Sequence, residues 1–230
     1  MRSCGFQALD QYADYLESTT VECDKLLKAI TINVTGFFRN PEIWEPVTEL
    51  LQGMMSQPGP PIRIWSAGCA SGEEPYSIAL LVEWLQRREG RAVTRVVQID
   101  ATDIDSDSLT KAETASYYQR DTALVHPAMA LLERDGAQVN VPPKVKSRVR
   151  FHQSDLLGDP APMPPYHIIF CRNVTIYLER STQHRVYADL ADALIPGGLL
   201  ILGRVESLAG PMRDGFQLVY SRERIYRKIT

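Results

Sequence analysis

Between Arg63 and Leu85 the sequence changes its hydrophobic period once, across a turn built on glycine. Arg63 to Ala67 (RIWSA) reads as a short apolar strand, and Glu73 to Arg87 as a helix whose Ile78, Leu81, Val82 and Leu85 fall on one stripe. Gly68 and Gly72 between them allow a tight turn free of side chains where the helix begins. The change of period recurs downstream. Val96 to Thr102 (VVQIDAT) is a second strand, with Asp105 to Ala115 as its helix. Val149 to Ser154 and His167 to Cys171 are further strands, Thr182 to Leu194 is a helix, and Gly198 to Gly203 is a strand after a Pro-Gly-Gly turn. Strands alternating with helices predict a parallel, doubly wound α/β sheet. The end differs: Phe216 to Tyr220 and Arg224 to Ile229 lie too close for a crossover and predict an antiparallel hairpin.

Two stretches fall outside the alternation. Residues 1–40 read as helical, with Leu9, Tyr12 and Leu16 on one face and Cys23, Leu26, Leu27 and Ile30 on a second stripe. Asn40-Pro41 then reads as a helix start, Asn as cap and Pro in the first turn, leading to Trp44, Val47, Leu50 and Leu51. From Tyr118 to Arg148, the centre LLERDGAQVNV places an Asp-Gly turn between two short extended pieces, which predicts a small β-hairpin inserted in the sheet. At 230 residues the chain suits one sizeable domain with small appendages. With 25 basic against 28 acidic side chains it lacks the bulk positive field of non-specific nucleic-acid binders. Its apolar runs are far shorter than the ~20 residues that span a bilayer, so a cytoplasmic protein without membrane insertion is expected. Cys4, Cys23, Cys69 and Cys171 are scattered, which predicts reduced thiols and no zinc site. His126, His152, His167 and His184 are isolated, with neither metal spacing nor a neighbouring nucleophile, and no metal is expected.

In open α/β sheets ligands bind beyond the carboxyl ends of the strands. The turn after the first strand offers backbone amides at a helix start, but Glu73 and Glu74 stand there too. Two carboxylates suit the helix dipole yet repel a pyrophosphate, so a cationic ligand or a neutral nucleoside fits better than a dinucleotide. Asp103, closing the second strand, can accept both hydroxyls of a ribose, whereas Asp105 reads as the next helix's N-cap. After the third strand, Asp155 can accept from an exocyclic amine while Leu156 packs on a flat base; an ordinary loop aspartate is the other reading. After the fourth, Arg172 and Asn173 place polar groups where an apolar strand stops, and Tyr177 is either a further polar group or an anchor on the following helix. Acids and glycines in this alternation suggest an adenosine ligand with a positive centre, as in S-adenosylmethionine.

The chain resembles the CheR family of chemoreceptor glutamate methyltransferases from about Ile32 to the C-terminus. The resemblance is carried by INVTGFFRN (32–40), IWSAGCASGEEPYSIA (64–79), ATDID (101–105), IIFCRNVTIYL (168–178), PGGLLILGRVESL (196–208) and a closing FQLVYSRERIYRK. It implies a class I S-adenosylmethionine-dependent methyltransferase (Rossmann-like) fold: a mostly parallel sheet with an antiparallel C-terminal strand and a small inserted β-subdomain, about 118–148, of three strands. Residues 1–40 would be a helical remnant with a cofactor-contacting segment, and 41–230 the methyltransferase domain. The resemblance implies cofactor contacts from Asn33, Thr35, Arg39, Gly68, Glu73 rather than Glu74, Asp103, Asp155, Leu156, Arg172 and Asn173. Arg39 and Tyr177 would lie beside the transferred methyl and be catalytic. The implied reaction moves a methyl group from S-adenosylmethionine to glutamate side chains of methyl-accepting chemoreceptor cytoplasmic domains, leaving S-adenosyl-L-homocysteine.

Three departures accompany it. Family members carry a longer helical N-terminal domain with a basic helix meeting the acidic receptor, whereas residues 1–31 alone precede the INVT motif, which reads as a short N-terminal form. The usual Gly-His-Ser-Glu is Gly203-Arg204-Val205-Glu206, and the usual Asn before Leu-Leu is Asp155. Lys144, Lys146, Arg148 and Arg150 alternate as on one face of a strand, either a solvated edge or a replacement for the basic helix. Transfer to a different acceptor, and a cofactor-binding signalling module without turnover, are the competing readings.

Overall fold

The computed structural model describes residues 5–6, 8–19, 21–23, 25–26, 35–90, 95–118 and 125–229. The chain forms two compact units, Met1–Val34 and Thr35–Thr230. In the first, α1 (Leu9–Ser18) buries Tyr12, whose hydroxyl donates to Glu22 Oε1 at 3.1 Å. Phe6 packs against the rings of Tyr12 and Tyr15. Leu9 is exposed, so the predicted apolar face is only partly used, and Leu27 and Ile30 of the second stripe lie outside the described residues.

The second unit holds helices α2 (Trp44–Met55), α3 (Glu73–Glu89), α4 (Ser106–Thr114), α5 (Pro143–Lys146) and α6 (Arg180–Asp192). Its strands are β1 (Ile62–Ala67), β2 (Val97–Asp103), β3 (Ser116–Tyr118), β4 (Glu133–Asp135), β5 (Gln138–Asn140), β6 (Val149–Gln153), β7 (Tyr166–Cys171), β8 (Leu194–Leu202), β9 (Phe216–Tyr220) and β10 (Ile225–Lys228). Seven form one sheet in the order β6-β2-β1-β7-β8-β10-β9, parallel except for β10, which runs antiparallel to both neighbours. Strand alternation builds a core on each face. Ile62, Ile64, Ile168, Phe170, Leu199 and Ile201 join one apolar cluster, and Trp65, Ala67, Ile169, Cys171, Leu200 and Leu202 the other. Burial on both faces is what a parallel sheet between helices requires. From β1 the chain winds outward to β2 and β6, then returns to β7 on the other side, so the topological switch point lies between β1 and β7.

The predicted insertion is a separate sheet of order β3-β5-β4. Asp135 pairs with Gln138, so the turn consists of Gly136, at φ +56°, and Ala137, one residue beyond the Asp-Gly corner read from the sequence. Three further local expectations change. Pro196 and Gly197 do not precede β8 but lie within it, at a shift of register between the Tyr166–Leu194 and Ile168–Leu199 pairs. Asn40 does not cap a helix with its side chain; a 3-10 turn, Pro41–Ile43, intervenes before α2. The basic run is not one strand face, because Lys144 and Lys146 belong to α5 and Arg150 to β6. Lys144 Nζ and Arg148 Nη2 instead reach the buried Glu83 carboxylate at 2.9 and 3.2 Å. Burial would raise the Glu83 pKa, but hydrogen bonds from Lys144, Arg87 and Arg148 outweigh it and hold the carboxyl below its ordinary value. Among the described residues no helix is long and apolar enough to cross a membrane.

Candidate active site

The turn leaving β1 is held against β2 by two amides: Gly68 N and Cys69 N donate to Thr102 O at 2.8 and 2.9 Å. Gly68 has φ +75°, and a Cβ there would overlap Val174 Cγ2 from the loop after β7. Gly72 has φ +91°, and a Cβ there would sit 2.7 Å from Ala112 Cβ of α4. Glycine is thus demanded both by left-handed backbone and by close approach of neighbouring elements. Asp103, at the end of β2, braces the turn: its Oδ2 accepts from Ala70 N at 2.7 Å and its Oδ1 from Asp105 N at 2.9 Å. A carboxylate offers about four acceptor positions, so both oxygens keep capacity for a further donor. Burial pushes the Asp103 carboxyl above its ordinary value despite those amides. Asp105 caps α4 by accepting from Asp107 N, as read from the sequence.

The two glutamates opening α3 have different surroundings. Glu74 accepts from Ser66 Oγ at 2.8 Å and pairs with Arg172 Nη1 at 3.1 Å. Glu73 is buried, with Ser71 Oγ donating to it at 2.7 Å and no cation partner among the described residues. Tyr117 of the small sheet supports the same turn, its hydroxyl donating to Ser71 O at 2.7 Å. Burial, reinforced by nearby carboxylates, pushes the Cys69 and Cys171 thiols well up, so neither supplies a thiolate nucleophile.

Arg172, just past β7, connects three segments. Besides Glu74, its Nη2 donates to Arg39 O at 3.1 Å and to Asn40 Oδ1 at 2.9 Å, the acceptor that sequence reading assigned to a helix cap. Trp44 Nε1 also donates to Arg39 O, at 3.2 Å. Phe38, fully buried, stacks on His126, and its amide donates to Ser77 Oγ at 2.8 Å. The backbone of Arg39 is therefore clamped, in a residue that is exposed.

Glu206 is a site residue that sequence reasoning missed. Its buried carboxylate accepts from the amides of Asn173, Val174, Thr175 and Gly203 and from Thr175 Oγ, at 2.6–3.0 Å. It fixes the loop after β7 to the loop after β8 and holds Asn173 at φ +60°. The signal was present in the Gly203–Glu206 segment, quoted for the resemblance but given no role, because pairing across some thirty residues is invisible to spacing.

Of the other predicted residues, Asn33 lies outside the described ones, and Thr35 is half-buried. Asp155 Oδ1 accepts from Leu157 N at 2.9 Å, and Leu156 packs against the second core cluster. Ser154 N donates to Asp103 O at 3.0 Å, which joins this loop to the end of β2. Tyr177 is 59% exposed at the end of a 3-10 turn, Thr175–Tyr177, and so is not a packing anchor. Hydrogen bonds thus connect Arg39, Glu74 and Arg172 in one chain, and Asp103 with the Gly68 turn and the Asp155 loop in another; Tyr177 stands on the Glu206-bound loop.

The profile described as CheR methyltransferase, SAM binding domain, matches residues 33–225. The chain belongs to the CheR methyltransferase family. A chemotaxis protein methyltransferase of Listeria monocytogenes is 33% identical over 89% of this chain and 77% of its own length. That of Klebsiella aerogenes is 34% identical over 96% and 77%. Among solved structures, the glycopeptide N-methyltransferase MtfA complexed with (S)-adenosyl-L-homocysteine is 16% identical over 79% of this chain and 59% of that one, at a TM-score of 0.44.

As a CheR methyltransferase the chain uses S-adenosylmethionine, and its residues fit that cofactor. Two polar atoms on successive residues at the switch point, Arg172 Nε and Asn173 Oδ1, are buried without a hydrogen-bond partner among the described residues. Buried polar groups are nearly always paired, so a donor and an acceptor left over at this edge match a ligand with polar groups of its own. The glycine cradle and the spare acceptor capacity of Asp103 match a nucleoside.

Proposed function

We propose that this chain methylates glutamate side chains in the cytoplasmic domain of a chemoreceptor, acting in the cytoplasm, with Arg39 and Tyr177 beside the transferred methyl. In this reading Asp103 binds the ribose, Asp155 and Leu156 the adenine, and Asn33, Thr35, Arg39, Gly68, Glu73, Arg172 and Asn173 the remainder of the cofactor. The observation that carries it is the clamp on Arg39: a backbone fixed through Arg172 to Glu74, in a residue that is itself exposed.

S-adenosylmethionine supplies a methyl group on a sulfonium, which leaves as a neutral thioether. The acceptor glutamate is ionised at neutral pH, so no strong base is required. That accords with a site whose cysteines are raised out of reach and whose Glu74 is held in an ion pair. What the chain must provide is position: the Arg39 guanidinium orients the carboxylate through paired N–H donors, and the Tyr177 hydroxyl fixes its second oxygen. Fixing a carboxylate against the sheet edge also strips water from it.

The test is transfer of labelled methyl from S-adenosylmethionine to a purified receptor cytoplasmic fragment. Label released as methanol by mild base supports a glutamyl ester. Base-stable label, or label on other proteins only, refutes the acceptor, and cofactor binding without transfer refutes turnover.

A further inference from the structure

Between the start of α6 and the loops after β7 and β8 lies a cavity of about 260 Å³ lined by Thr175, Ile176, Arg180, His184, Val205 and Ser207 among others. Its inner wall is already satisfied. The Glu206 carboxylate is filled by its amide and hydroxyl donors, Gln183 Nε2 donates to Thr175 O and Leu178 O, and the Tyr187 hydroxyl bonds Thr175 Oγ. Arg180 and His184 are different: among the described residues neither has an ion pair or a side-chain hydrogen bond, although they stand one helical turn apart on the same side of α6. The carboxylate that shares their pocket has no remaining donor-free oxygen to offer them. Ile176 (40% exposed) and Val205 (73% exposed) flank the cavity with apolar surface.

A polar recess with an unpartnered guanidinium and imidazole, set in an apolar surround, suits an acidic side chain carried on a protein segment rather than a small apolar ligand. Its place is as informative as its charge, because Ile176 lines it and the next residue is Tyr177. Resting on the reading above, we infer that this cavity binds a second carboxylate of the acceptor protein, adjacent to the glutamate being methylated. Arg180 is then a specificity residue: it selects acceptor sites flanked by an acidic residue, and fixes the register in which the reacting glutamate reaches Tyr177.

The experiment is steady-state methylation of a receptor cytoplasmic fragment by the whole chain, comparing wild type with Arg180→Gln and His184→Gln. Loss of one charge-assisted hydrogen bond should raise KM for the fragment about tenfold in Arg180→Gln at unchanged kcat, with S-adenosylhomocysteine affinity by calorimetry unaltered. Changing the acidic neighbours of the methylated glutamate to glutamine should raise KM equally for wild type and add nothing in Arg180→Gln. An unchanged KM in Arg180→Gln, additive effects of the two changes, or weakened S-adenosylhomocysteine binding with KM intact each overturn the inference while leaving the methyltransferase reading standing. Wild type that esterifies no carboxylate overturns both.

Discussion

Replacing Glu206 by glutamine changes one oxygen for an amino group and keeps the shape, so its effect isolates the acceptor role of the carboxylate. Glu206 Oε2 receives Asn173 N and Gly203 N, and Oε1 receives Val174 N, Thr175 N and Thr175 Oγ. In the less damaging orientation the new amino group replaces Oε2 and faces two buried N–H donors, while the three bonds to Oε1 lose their charge assistance. Bonds to a charged acceptor contribute about 1.5–3 kcal/mol each, and unpairing buried groups of this kind costs about 3–5 kcal/mol in all. At about 2–4 °C per kcal/mol for a chain of this size, Glu206→Gln should melt roughly 6–20 °C below wild type. Because Asn173 stands on the loop that Glu206 holds, S-adenosylhomocysteine should also bind more weakly at a temperature where the variant is fully folded. Thermal unfolding followed by circular dichroism measures the first effect and calorimetry the second. A variant melting within about 2 °C of wild type would show that the five donors find other partners and that Glu206 does not organise the site.

Other substitutions test separate parts. Gly68→Ala meets both a left-handed backbone and Val174, so it should abolish cofactor binding, and adding Val174→Ala should restore part of it; restoration to wild-type affinity would mean that φ is irrelevant there. Arg172→Lys keeps a charge but cannot bond Glu74, Arg39 O and Asn40 together, and should lower kcat as the Arg39 segment loosens; unchanged turnover argues against the clamp. Tyr177→Phe should reduce kcat while leaving both melting temperature and S-adenosylhomocysteine affinity near wild type, since the ring is largely exposed. Glu83 titrates below its ordinary value of 4.5 in the folded chain, so its contribution to stability is complete above that pH and is lost as the pH falls through the lowered folded value. Glu83→Gln should therefore melt lower near neutrality and converge on wild type in acid; parallel melting curves at both pH values would contradict the assignment.

The sheet was legible because its information is local. Ile64, Trp65, Ile168 and Ile169 alternate between two buried faces, and Gly68 and Gly72 mark the only geometry that lets β1 turn so close to α4 and the β7 loop. Asp103 could be placed at a strand end from the sequence, but its grip on Ala70 and Asp105 could not. What stayed hidden were partnerships between distant segments. Glu74 and Arg172 are separated by 98 positions, and Glu83 and Arg148 by 65. Seen by spacing alone, Lys144 to Arg150 looks like a strand face; the buried charge of Glu83, which needs cations around it, folds part of that run back instead. Asn40 was misread for a similar reason, since a helix cap is the commonest use of asparagine before proline and only the fold brings Arg172 to it.

Hydrogen–deuterium exchange with and without S-adenosylhomocysteine locates the ligand directly. Slowed exchange should appear together in peptides covering the Gly68–Glu74 turn, Asp103–Asp105, Asp155–Leu157 and Arg172–Thr175, four loops that share one edge of the sheet. Binding that leaves these peptides unprotected, or protects the opposite edge at the N-terminal ends of β1 and β2, would contradict the site.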